Sequence, residues 1–193
     1  RNMQQATPAG SGAMAAILGL DNEVLASVCE QAAEGQVVSC ANFKSPGQVV
    51  IAGQKEAVSR ACALASEAGA RRAIPLAVSV PSHCELMRPA ADAMTKTLEG
   101  IELAEGRIPV IHNVDVSEHR SADEIRQALV LQLSQPVRWS DTIEWLIKAG
   151  VGQFAECGPG KVLAGLNRRI SRDVTTVALG DLQTLEETKK NWS

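Results

Sequence analysis

Residues 36–53, Gln36-Val37-Val38-Ser39-Cys40-Ala41-Asn42-Phe43-Lys44-Ser45-Pro46-Gly47-Gln48-Val49-Val50-Ile51-Ala52-Gly53, hold two β-branched runs, Gln36 to Phe43 and Gln48 to Ala52. Between them, Pro46 presets one backbone angle and Gly47 tolerates the reversed one, so the stretch reads as a hairpin. Upstream, Gly12 to Leu18 is an apolar run of strand length. Asp21 then stands as an N-cap before Val24, Leu25, Val28, Cys29 and Ala32, a helical stripe that Gly35 ends. Downstream, a second helical stripe through Ala57, Val58, Ala61, Cys62, Ala65 and Ala68 stops at Gly69, and Arg71 to Leu76 resumes as a strand. The order β-α-β-β-α-β is the split βαβ of ferredoxin-like domains. It predicts a small subdomain over residues 10–77.

Residues 78–193 follow a different grammar. Pro89 to Leu98 is Ala-rich and helical, Pro109 to Asn113 is a strand candidate, and Ser121 to Leu133 and Ser140 to Ala149 carry helical patterns. Gly152 to Glu156 then reads as a strand, Lys161 to Arg169 as a helix and Val174 to Leu179 as a strand, which predicts an α/β subdomain with a parallel sheet. Gly158-Pro159-Gly160-Lys161 lacks the G-x-x-x-x-G-K-[ST] form of a phosphate loop and reads as a tight turn whose helix N-terminus could still line a cleft.

Composition narrows the function. The 193 residues carry 19 basic and 22 acidic side chains, a net charge of −3, with no basic stripe to neutralise phosphates, which argues against nucleic-acid binding. No run approaches the roughly 18 apolar residues of a membrane span. Cys29, Cys40, Cys62, Cys84 and Cys157 form no C-x-x-C pair and no zinc spacing, and read as reduced, mostly buried thiols of a cytoplasmic protein.

Three histidines invite a chemical reading. In Val78-Ser79-Val80-Pro81-Ser82-His83-Cys84-Glu85-Leu86-Met87, Ser82 and Glu85 have capping-box spacing, which would set His83 in a helix's first turn and favour its neutral ring. A competing start at Pro89 would leave Ser82 to Met87 as a turn. His83 is either a proton acceptor or a structural histidine. His112, beside Asn113 and Asp115, is a candidate site residue or a loop histidine, and His119 reads as solvated. The three are too scattered in sequence to predict a metal site. A Cys84/His83 nucleophile pair is disfavoured, because neighbours on a helix point about 100° apart. No G-x-S-x-G elbow occurs in the chain.

Several strings taken in order carry a resemblance. They are Asn42 to Gly53, Val80-Pro81-Ser82-His83-Cys84, Asn113-Val114-Asp115, Gln132-Leu133-Ser134-Gln135-Pro136-Val137-Arg138-Trp139, and Glu156-Cys157-Gly158-Pro159-Gly160-Lys161-Val162-Leu163. Together they resemble the bacterial malonyl-CoA:acyl carrier protein transacylase family, from Met3 to the end of the chain. The resemblance implies an α/β fold: part of an α/β-hydrolase-like large subdomain, residues 78–193, with a ferredoxin-like subdomain inserted in it. It also implies ping-pong acyl transfer through a serine ester. His83 then corresponds to the catalytic histidine, and Gln132 supplies the main-chain carbonyl that orients it. Ser82 holds the position that helps set acyl size in related polyketide enzymes. Asn42, Gln48 and Arg72 face the coenzyme A or pantetheine arm, and Lys44, Arg71 and Arg88 could meet an acidic carrier. The implied partners are acyl carrier protein and a coenzyme A thioester, with no cofactor and no metal, in a monomer. The elbow serine, the oxyanion glutamine and the malonyl-binding arginine are expected upstream of these residues, so Arg1 is not that arginine. The chain would then be roughly the C-terminal two-thirds of a transacylase, inactive alone. Two other readings stand beside this one: a discrete polyketide-type acyltransferase, and a non-enzymatic ferredoxin-like ligand-binding module.

Overall fold

The structure, a computed structural model, describes residues 2–8, 10–78 and 80–192. Arg1 and Ser79, both named above, lie outside them. The chain is mixed α/β and divides into two compact units, one running to Trp139 and the other from Ser140. The expected boundary between residues 77 and 78 does not coincide with this division.

In the larger unit, a short helix α1 (Asn2–Ala6) precedes β1 (Gly12–Leu18), α2 (Asn22–Ala33), β2 (Val38–Ser45), β3 (Gln48–Gln54), α3 (Lys55–Glu67) and β4 (Arg72–Pro75). The four strands form one antiparallel sheet in the order β2-β3-β1-β4. Pro46-Gly47 closes the β2–β3 hairpin, with Gly47 at φ 67°, a conformation that glycine adopts without steric cost.

Alternation along β1 sorts the sheet's two faces. Ala15 and Ile17 join Leu25, Val28, Cys29 and Ala32 of α2 and Ala57, Val58, Ala61 and Ala65 of α3 in the main core. Met14 points the other way and packs with Ala41, Val50, Ala52 and Cys84. Because β3 is covered on both sides, its interior Val49 to Gly53 is buried without a break. Asp21 does occupy the N-cap of α2, but its side chain makes no capping bond.

Beyond the sheet come a 3-10 turn (Glu85–Met87), α4 (Arg88–Glu99), β5 (Ile111–His112), β6 (Ser117–Glu118) and α5 (Ala122–Leu131). Two expectations are corrected here. Ser82 and Glu85 form no capping box: α4 starts at Arg88 with Pro89 in its first turn, as the competing reading had it. The reciprocal box forms instead at α5, between Ser121 and Glu124. The Pro109 to Asn113 candidate shrinks to β5, paired antiparallel with β6.

The smaller unit carries α6 (Trp139–Lys148), β7 (Gln153–Cys157), α7 (Val162–Ile170), β8 (Thr175–Leu179) and α8 (Leu182–Trp192). β7 and β8 run parallel, as the βαβ reading expected, whereas α8 was not anticipated. The Glu156 carboxylate accepts the Leu163 and Ala164 N–H groups at 3.1 and 2.8 Å. The N-terminus of α7 is thus plugged from within and offers no free anion site. Among the described residues, no helix is long and apolar enough to cross a membrane.

Gly53 is the tightest point of the sheet. A Cβ there would collide with the Val37 carbonyl oxygen and lie 2.6 Å from Val38 Cα, both main-chain atoms that cannot swing aside. Gly53→Ala should therefore cost about 2 kcal/mol or more, while Gly100→Ala, in open space, should stay within about 0.5 kcal/mol of the parent. Urea midpoints of the two variants check this.

Candidate active site

His83 sits in a turn, half-buried, with φ 63°. A left-handed backbone is uncommon outside glycine and costs on the order of 1–3 kcal/mol, so its surroundings must impose it. Upstream, Pro81 is buried against Gly12 of β1, so closely that a Cβ on Gly12 would come within 2.5 Å of the proline ring. Downstream, Cys84 is buried on the second face of the sheet and donates its S–H to the Pro81 carbonyl at 3.2 Å. Burial pushes the Cys84 thiol up to about 11, so it is a packed core thiol and no partner for a Cys/His nucleophile.

The C-terminal end of α5 completes the clamp. The His83 main-chain N–H donates to the Leu133 carbonyl at 3.1 Å, and ring Nδ1 lies 2.7 Å from the Gln132 carbonyl. A carbonyl only accepts, so Nδ1 carries the proton in the neutral ring and Nε2 keeps its lone pair. Gln132 is the C-cap of α5, and its carbonyl lies among those that the helix leaves unpaired.

The strap that follows α5 also holds the sheet. Val137 bridges to Asn42 in parallel, accepting the Phe43 N–H and donating to the Ala41 carbonyl, each at 2.9 Å. These bonds cover part of the edge of β2. Arg138 donates its N–H to the Asn113 carbonyl at 2.9 Å. His83, Cys40, Phe43 and Ser134 to Pro136 share the lining of a cavity of about 470 Å³.

Of the residues singled out in the sequence, the structure thus gathers His83, Gln132 and Asn42 around one strap, and Ser82 is the neighbour of His83. Gln48 and Arg72 lie together elsewhere, flanking Leu18 at the hairpin end of the sheet. Leu133 and Val137, which act through main-chain atoms, were not singled out individually. Side-chain chemistry carries no trace of such a role. Asn42 and Asn113 each bury a side-chain oxygen with no hydrogen-bond partner among the described residues.

The other histidines differ from expectation. His119 is not solvated: its Nε2 lies 2.7 Å from Asp115 Oδ2, and its ring centroid is 5.2 Å from that of His112. The turn between β5 and β6 brings the two rings together. Among the described residues, no cluster of His, Cys, Asp or Glu could hold a metal ion. The cysteines are also less uniformly buried than expected, since Cys40 and Cys62 are half-buried and Cys157 is exposed.

The acyl transferase domain family matches residues 1–183. The chain belongs to that family. The acyl transferase chain is 57% identical over 180 residues to the malonyl CoA-acyl carrier protein transacylase of Haemophilus influenzae, an alignment covering 93% of this chain and 58% of that protein. The Escherichia coli K12 protein of the same name is 55% identical over 179 residues, with the same coverage. Among solved structures, an acyl carrier protein S-malonyltransferase from Vibrio cholerae superposes with a TM-score of 0.95 at 54% identity, covering 96% of this chain and 61% of that one. A malonyl-transacylase in complex with a type II polyketide acyl carrier protein gives 0.96 at 54% identity, covering 98% and 61%. The acyl transferase chain therefore spans about 58% of the length of the curated relatives it matches.

Burial holds the His112 imidazole below the ordinary histidine range, and the His119 ring pushes the same way against the opposing pull of Asp115. The folded state then prefers the neutral ring. This contribution to stability is complete above the unfolded value of about 6.5 and is lost as pH falls through the lower folded value. Urea midpoints measured near pH 7.5 and near pH 5.5 should fall further for the parent than for His112→Asn.

Proposed function

We propose that this chain provides the general-base part of an enzyme that moves a malonyl group from malonyl-CoA to the phosphopantetheine thiol of acyl carrier protein. The observation that carries the proposal is the 2.7 Å hydrogen bond from His83 Nδ1 to the Gln132 carbonyl. It fixes the tautomer whose other nitrogen accepts a proton. The names of the relatives support the same reaction, and one solved relative is held in complex with a carrier protein.

The chemistry follows from that ring. Nε2 takes the proton of a serine hydroxyl as the serine oxygen attacks the malonyl thioester, and the C–S bond breaks. The proton passes to the departing coenzyme A thiolate, leaving a malonyl-serine ester. In the return half, Nε2 takes the proton of the pantetheine thiol, sulfur attacks the ester, and the serine oxygen recovers its proton. The Gln132 carbonyl serves where a triad carboxylate would stand, holding the ring's orientation through both halves. The serine comes from polypeptide outside these 193 residues, which contain no G-x-S-x-G elbow, and the chain alone is inactive in this scheme. No step calls for a cofactor.

Residues 10–77 form a ferredoxin-like subdomain in this proposal, supported by the antiparallel order β2-β3-β1-β4 with both helices on one face. Residues 78–193 belong to the large α/β-hydrolase-like subdomain. Asn42 faces the thioester arm, supported by its bridge from β2 to Val137 of the strap that holds His83. Gln48 and Arg72 would meet a more distant part of the same arm, and Ser82 leaves room beside the histidine for the acyl group. The 470 Å³ cavity lies within the 300–1,000 Å³ range usual for ligand sites. The non-enzymatic reading loses its basis, because the family match runs through the first subdomain as well as the rest. A polyketide-type acyltransferase remains the second reading, favoured by the carrier in the solved complex. Relative labelling by malonyl-CoA and methylmalonyl-CoA separates the two.

The protein with its natural upstream sequence should form a malonyl-serine ester with radiolabelled malonyl-CoA. His83→Ala should slow that labelling by about 10²–10⁴-fold, and an equal rate would overturn the proposal. Gln132→Ala keeps the carbonyl and should stay within about threefold of the parent, since only the side chain is lost.

A further inference from the structure

α4 leaves the His83 turn and α5 returns to it. α4 starts at Arg88, shortly after His83, and α5 is capped by Gln132, whose carbonyl receives the His83 ring. At the far end of the pair, Arg126 reaches from α5 to the close of α4. Its Nε donates to the Leu98 carbonyl at 3.2 Å, and one terminal nitrogen donates to the Ile101 carbonyl at 2.8 Å. The other terminal nitrogen donates to Asp123 Oδ1 at 2.9 Å, but the Asp123 side chain is 88% exposed and this ion pair adds little. The carbonyls matter more. Leu98 lies in the last turn of α4 and Ile101 just beyond its C-cap, Gly100, where a helix leaves acceptors unpaired and favours a cation.

The two helices therefore run antiparallel and are tied to each other at both ends, by Arg126 at one and by the His83 turn at the other. Between those ends, Thr95, Leu98, Gln127, Val130 and Leu131 line a cavity of about 370 Å³. Apolar contact is non-directional and lets one helix slide on another, whereas hydrogen bonds fix a position. Gln132 stands about 9 Å further along the α5 axis than Arg126.

We propose that Arg126 is a positioning residue for acyl transfer: by tying α5 to the end of α4, it sets where the Gln132 carbonyl stands against His83 Nδ1 and so aims Nε2. The proposal rests on the reading of His83 as general base. Arg126 itself touches neither ring nor substrate. Without its guanidinium, α5 shifts along its axis, the 2.7 Å bond to Nδ1 weakens, and the tautomer with its proton on Nε2 gains population. That tautomer cannot take the serine proton at Nε2. Arg60 supplies an internal comparison. From α3 it clamps the end of α2 in the same way, donating to the Ala32 and Ala33 carbonyls at 2.9 and 3.1 Å, yet neither of those helices holds the His83 turn.

The test compares the parent, with its natural upstream sequence, with Arg126→Ala, Arg126→Lys and Arg60→Ala. Urea midpoints report stability, and radiolabelled malonyl-CoA reports the saturated rate of ester formation and the half-saturating concentration. Arg126→Ala should lower the saturated rate about 10- to 100-fold and leave the half-saturating concentration within about threefold, as a slightly misplaced ring would. Arg126→Lys keeps a donor cation without the fork and should recover about threefold or more of that loss. Arg60→Ala should lower the urea midpoint to a similar extent and leave the saturated rate within about twofold of the parent. Nitrogen-15 spectra of the histidine rings should show the Nε2–H tautomer of His83 rising in Arg126→Ala but not in Arg60→Ala, with His112 and His119 unchanged in both. A His83 ring spectrum identical to the parent's in Arg126→Ala, or equal slowing by Arg126→Ala and Arg60→Ala, would overturn the proposal. Should His83→Ala label as fast as the parent, the general-base reading falls, and the ring spectra still decide whether Arg126 aims the imidazole. If Arg126→Ala does not fold, Arg126→Lys carries the same comparison.

Discussion

His83 is held by two hydrogen bonds to consecutive carbonyls, its ring to Gln132 and its main chain to Leu133. Both carbonyls lie where α5 ends, so the helix terminus supplies acceptors that would otherwise face water. One bond sets the ring's proton and the other holds a left-handed backbone that histidine rarely takes. If either failed, the strain at φ 63° could relax and the imidazole would lose its aim.

That arrangement depends on the sheet beneath it. One face of the sheet is filled by α2 and α3, and the other receives Cys84 and the proline that precedes His83. The strap from Gln132 to Arg138 ties the two together, holding the histidine at its beginning and the edge of β2 at Val137. A disturbance of the sheet edge therefore reaches the histidine both through the main chain of the strap and through Ala41 of β2, which packs with Cys84.

Local patterns were legible where the local physics was decisive. The hairpin followed from Pro46-Gly47 between two β-branched runs, and the helical stripes of the first subdomain pack against the sheet except at their ends, where Val24 and Ala68 are exposed. The capping box did not follow, since Ser82/Glu85 and Ser121/Glu124 have the same spacing and only the second forms. Tertiary packing of Cys84 and Pro81 holds Ser82 out of helical geometry, whereas nothing holds Ser121. His119 was misread because a run of charged neighbours in sequence says nothing of a hairpin that folds Asp115 and His112 onto it. Likewise the turn before α7 looked open until Glu156, seven residues before Leu163, filled it.

By itself the sequence determined the order of strands and helices from β1 to β4, the residue types available for proton transfer and the family resemblance, because these depend on periodicity, turn chemistry and short strings. Only the tertiary structure decided which histidine is oriented and which carbonyl orients it. Main-chain acceptors look alike at every position in a sequence, and contacts between residues 49 apart arise only when the packed sheet and the end of α5 bring them together.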